Sequence, residues 1–110
     1  MPVTFVSDPA RRVEIARTIL SQLPEWFGIP AATEGYITDA AHEPCFVCEK
    51  AGAPVGFLCL KETGRSTVEL AVMGVLKPCH RKGYGRALVD AAVAYARQTG
   101  YEFMQVKTVQ

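Results

Sequence analysis

The segment "KPCHRKGYGRAL", Lys77–Leu88, sets Gly83 and Gly85 one residue apart, surrounds them with Arg81, Lys82 and Arg86, and runs into an apolar pattern of helical spacing. The chemistry this suggests is anion binding. The first turn of a helix leaves backbone N–H groups without intrahelical acceptors and carries a partial positive charge of roughly half an electron. A glycine there lets the main chain come close to a phosphate with no Cβ in the way. The spacing is neither the G-x-G-x-x-G of a dinucleotide fold nor the G-x-x-x-x-G-K-[ST] of a P-loop. Read alone, the same residues could equally form a plain tight turn with a solvated basic face.

The elements that must position this loop can be read on either side of it. Before it, "CFVCE", "VGFLCLKE" and "TVELAVMGVL" alternate with period two and are separated by "KAGAP" and "TGRS", which predicts three antiparallel strands joined by tight turns. After Pro78, Tyr84, Leu88, Ala91, Ala92 and Tyr95 share one helical face, Gly100 supplies a stop, and "YEFMQVKTV" reads as a last strand. A strand, helix, strand unit of this kind should be parallel. Towards the N-terminus, Asp8 is a helix cap and Pro9 a first helical residue, with Val13, Ala16, Leu20 and Leu23 on one face before Pro24; a short second helix follows Pro30.

At 110 residues the chain has room for one domain, 1–110, and 49% apolar with 21% charged residues is the balance of a folded protein. A formal charge of +1 gives no overall field for nucleic acid or an anionic membrane, so anion binding must be local. No apolar run reaches the roughly 20 residues of a membrane span and the N-terminus lacks a signal-peptide core, which reads as cytoplasmic. Cys45 and Cys48 fall three apart on a strand and so point to opposite faces, where they cannot chelate one metal. The four cysteines, with Cys59 and Cys79, are expected to be reduced and mostly buried.

The loop His80-Arg81-Lys82-Gly83-Tyr84-Gly85 resembles motif A of the GNAT superfamily of N-acetyltransferases, whose pyrophosphate loop reads Arg/Gln-x-x-Gly-x-Gly/Ala; His80 stands where Arg or Gln is usual. The order of elements across about residues 3–109 is similar too, and "WFGIP", "PVGFLCLKET" and "VMGVLKPCHRKGYGRALV" resemble a group of small bacterial GNATs. The resemblance implies an α/β fold with a mixed, mostly antiparallel sheet of about five strands and helices on both faces. It implies acetyl-CoA as co-substrate, no metal, and transfer to a small-molecule or peptide amine.

Carried over residue by residue, the resemblance gives the pyrophosphate to residues 80–86, Arg86 included, and the pantetheine arm to Met73, Gly74, Val75 and Leu76 on a bulged strand whose N–H groups would also polarise the thioester carbonyl. Glu69 matches the glutamate that many members use as general base, and alternation puts it on the face of Ala71, Met73 and Val75; Glu62 is a weaker candidate. Trp26, Phe27 and Tyr36 match one wall of the acceptor site. The family's pattern continues past Gln110 with a further helix and strands that commonly bring a Tyr general acid. The expectation is therefore a domain without that part, whose last strand could pair with a second copy in a homodimer. A non-catalytic CoA-binding or assembly module is the alternative reading.

Overall fold

The computed structural model describes residues 2–24 and 30–106. In chain order they form β1 (Thr4–Val6), α1 (Pro9–Leu20), α2 (Pro30–Asp39), β2 (Cys45–Lys50), β3 (Ala53–Gly64), β4 (Thr67–Val75), α3 (Tyr84–Gln98) and β5 (Phe103–Val106), with short 3-10 turns at Ala40–His42 and Lys77–Cys79. The five strands make one sheet in the order β1-β2-β3-β4-β5; every pairing is antiparallel except β4 with β5, which are parallel across the α3 connection. This is the mixed α/β architecture that the sequence implies. The fifth strand of the expected count is β1, three residues at an edge, too short for a periodic pattern to announce it.

Local chemistry sets the helix limits. The Asp8 side chain accepts the Ala10 N–H at 3.1 Å, and Pro9, whose missing N–H costs nothing in a first turn, opens α1. At the far end of α3, Gly100 takes φ +89°, a left-handed stop open to glycine. Among the described residues no helix is long and apolar enough to cross a membrane.

Strand alternation sends two sets of side chains to opposite faces of the sheet. Ile15, Ala16, Ile19, Leu20 and Leu23 from the α1 region pack with Val47, Phe57, Cys59 and Val72 on one side. Leu88, Ala92 and Ala96 of α3 pack with Phe46, Leu58, Leu60 and Val68 on the other. Arg12 ties the first layer to the sheet edge, its Nε donating to the Val6 carbonyl at 2.7 Å. Helix α2 buries Ile37, and Arg17 of α1 clasps its Glu34 with two hydrogen bonds of 2.8 and 3.0 Å.

Two features depart from the sequence reading. Leu60 pairs with Leu70 and Cys59 with Val72, so Ala71 is an extra residue in β4. This bulge reverses the alternation beyond it. Val68 and Leu70 therefore share the α3 side with Met73 and Val75, whereas Glu69 shares the α1 side with Val72 and Gly74, not the face of Met73 and Val75 that uninterrupted alternation assigns. Secondly, Cys45 and Cys59 are register partners with Cα atoms 4.4 Å apart and are joined as a disulfide, against the expectation of four reduced thiols. Cys48 and Cys79 are free and buried.

Gly74 shows how closely α1 approaches the sheet. A Cβ at this position would lie 3.2 Å from Ile19 Cγ2, 3.2 Å from Leu23 Cδ1 and 3.3 Å from Phe57 Cε1. We expect Gly74→Val, which adds three carbons there, to destabilise the fold by about 1–3 kcal/mol through overpacking, read as a fall in the chemical-denaturation midpoint at unchanged m-value.

Candidate active site

Strand β4 leads into the site, and its last residues decide where the loop begins. After Val75 the Leu76 N–H donates to the Val55 carbonyl at 2.9 Å, and Lys77–Cys79 make a single 3-10 turn. The His80 ring then reaches back to the Val75 carbonyl at 2.6 Å. A carbonyl only accepts, so Nε2 carries the proton. His80 thus folds the loop onto the end of β4.

Arg81 and Gly83 both have positive φ, +62° and +87°, and Gly83 is the cap residue of α3. Its carbonyl accepts from the Ala87 N–H at 3.0 Å, which leaves the N–H groups of Tyr84, Gly85 and Arg86 in the first turn without intrahelical acceptors. These donors open on a cavity of about 550 Å³ lined by Met73, Gly74 and Val75 of β4, by His80, Arg81, Gly83, Tyr84, Gly85 and Arg86, and by Leu23 and Cys79. The volume falls in the range of small-molecule and cofactor pockets.

Gly85 gives the most informative test of what the cavity is for. Its φ is not left-handed, and a Cβ built there would meet nothing within 4 Å. The protein's own packing places no demand for glycine at this position. The space before it is open, and a helix N-terminus with open space before it is suited to an anion such as phosphate.

Several sequence-assigned residues lie elsewhere. Leu76 packs between the two cores and Lys82 is exposed; neither lines the cavity. Glu69 is 9% exposed, opposite Lys61 on β3 and beside Gln105 on β5. Glu62 accepts the Tyr101 hydroxyl at 2.9 Å. Tyr36 lies on α2, half exposed and lining neither cavity. Trp26 and Phe27 lie outside the described residues. Leu23 and Cys79 were missed as site residues because both read as core, which they also are. Among the described residues no group of three or more His, Cys, Asp or Glu is placed to hold a metal.

A bulged parallel-paired strand feeding a glycine loop and a helix N-terminus, on a sheet covered on both faces, defines the acetyltransferase class. Residues 5–110 match the Acetyltransferase (GNAT) family, and the chain belongs to that family. No curated protein matches it significantly in sequence. Among solved structures, aminoglycoside N-acetyltransferase AAC(6')-Iy in complex with CoA is 20% identical over 98% of this chain and 79% of that one, with a TM-score of 0.67. The same enzyme with the bisubstrate analogue CoA-S-monomethyl-acetylneamine is 20% identical over 99% and 81%, with a TM-score of 0.70. The ribosomal-protein-alanine N-acetyltransferase from Brucella melitensis biovar Abortus 2308 is 15% identical over 99% and 82%, with a TM-score of 0.74. At these identities the likeness is one of fold.

The two loop glycines should respond differently to substitution. Gly83→Val forces a β-branched residue into φ +87° and should lower thermal stability as well as binding. Gly85→Val should stay folded with a melting temperature near the parent's, while CoA affinity measured by calorimetry falls at least about tenfold, equivalent to about 1.4 kcal/mol.

Proposed function

We propose that the protein takes acetyl-CoA as donor and transfers its acetyl group to a primary amine. The observation that carries this reading is the cavity at the α3 N-terminus, with room for a ligand at Gly85 that the protein's own packing leaves open. In this reading the N–H groups of Tyr84, Gly85 and Arg86, with the guanidinium groups of Arg81 and Arg86, hold the pyrophosphate. His80 keeps the loop in register with β4. The β4 backbone at Met73–Val75 lies along the path of the pantetheine arm. Acetyl-CoA supplies an acyl thioester, activated for attack by an uncharged amine.

An amine is protonated at neutral pH and must lose a proton before it can attack, which requires an acceptor within hydrogen-bond reach, directly or through one water. Glu69 fills that role in this reading. It is a largely buried carboxylate two positions before the bulge point Ala71 and Val72, where the β3–β4 ladder is interrupted. Glu69→Gln keeps size and hydrogen bonding but cannot take the proton. We expect turnover with an amine panel, followed by free-thiol release at neutral pH, to fall roughly 10²-fold to 10⁴-fold with CoA affinity nearly unchanged. Unchanged turnover would make Glu69 structural.

The β5 edge supports self-association as part of the same reading. Phe103 and Val106 are 62% and 58% exposed on opposite faces of that strand, large apolar side chains flanking the edge along which a second copy could pair. Light scattering at micromolar concentration should report a dimer that Phe103→Glu converts to monomer; a parent that is monomeric throughout that range would refute the arrangement.

A further inference from the structure

A second cavity, of about 420 Å³, lies at the opposite end of β4 from the glycine loop. Its walls come from four separate stretches of chain, Val68 of β4 among them. Asp39, His42 and Glu43 arrive from the end of α2 and the turn before β2, Lys61 and Glu62 from β3, and Tyr101 from the approach to β5. The segment before β2 is docked firmly, since the Leu60 N–H donates to the Pro44 carbonyl at 2.9 Å and the Glu43 N–H to the Ala40 carbonyl at 3.2 Å.

Glu43 is the unexplained group. It is only 7% exposed, and its Oε1 is buried with no hydrogen-bond partner among the described residues. A buried carboxylate left this way costs the fold, and native proteins satisfy nearly all such atoms. Burial and the neighbouring Asp39 carboxylate push its pKa up to about 7, with Lys61 opposing them. The third carboxylate of the cavity, Glu62, is fixed by the Tyr101 hydroxyl at 2.9 Å and keeps further acceptor sites. Three carboxylates thus face one ammonium, that of Lys61, and the imidazole of His42. Between them the apolar surface open to a ligand is that of Pro44 and the Tyr101 ring, with Leu60 and Val68 buried behind it.

Anionic groups supplied by different elements around an apolar middle are complementary to a short alkyl chain with a cation at each end. We propose that this second cavity binds a small diamine or polyamine, one ammonium on Glu43 and Asp39, another on Glu62, and the methylenes along Pro44 and the Tyr101 ring. An inorganic cation does not use the apolar stretch, and an anion meets three carboxylates. The inference stands apart from acetyl transfer, because binding needs no donor.

The test is calorimetric titration of 1,4-diaminobutane and of spermidine into the full chain without acetyl-CoA, at low salt and about pH 8, where Glu43 is mostly ionised. Saturable one-site binding is expected, weakened about tenfold or more by Glu43→Gln and by Glu62→Gln, tightened several-fold by Lys61→Met, and unaffected by Glu14→Gln on the exposed side of α1. Thermal melting of each variant verifies that it is folded. Binding by the parent should strengthen as pH rises from about 6 to about 8 and lose most of that dependence in Glu43→Gln, since only the ionised carboxylate pairs with an ammonium. Absence of saturable binding up to about 10 mM amine, or equal affinities for Glu43→Gln and Glu14→Gln, would overturn the proposal; loss of CoA binding in a separate titration would not touch it.

Discussion

The pairing of β3 with β4, with one residue too many on β4, is the constraint on which the rest depends. Ala71 has no partner of its own, so everything beyond it is turned over relative to what precedes it. That single insertion lets Val68 and Leu70 serve the α3 core while Gly74, four and six residues on, admits α1 at close range. It also leaves Glu69 on the side of the sheet away from α3. Had β4 been regular, either the glycine or the glutamate would face the wrong helix layer.

What was legible in the sequence follows from which forces are local. The α3 face, the Asp8 cap, the three central strands and the glycine loop depend on residues near one another in the chain, and each occurs where the spacing indicates. The orientation of Glu69 was not legible, because a bulge leaves no mark in a run such as "VELAVMGV". The Cys45–Cys59 bond was hidden for a related reason: it depends on the β2–β3 register, fixed by partners rather than by either strand alone. The second cavity could not be read at all. Asp39, Glu43, Glu62 and Tyr101 are ordinary surface types in sequence and become a set only when three distant segments meet.

Net charge conceals this organisation. A chain at +1 has nearly equal numbers of acids and bases, yet Arg81 and Arg86 gather around one cavity and Asp39, Glu43 and Glu62 around the other. Local fields of opposite sign at the two ends of one strand can select oppositely charged ligands without any long-range steering, since surface charges more than about 8 Å apart are largely screened at physiological salt.

Helix α2 stands apart from this rigid frame. Among the described residues it buries Ile37 and shares with α1 the solvent-exposed pair of Arg17 and Glu34, whereas α1 and α3 each bury several side chains. A helix that buries little relies least on core packing, and such elements open at lower free energy than a sheet. Opening of this kind leaves β4 and the glycine loop folded.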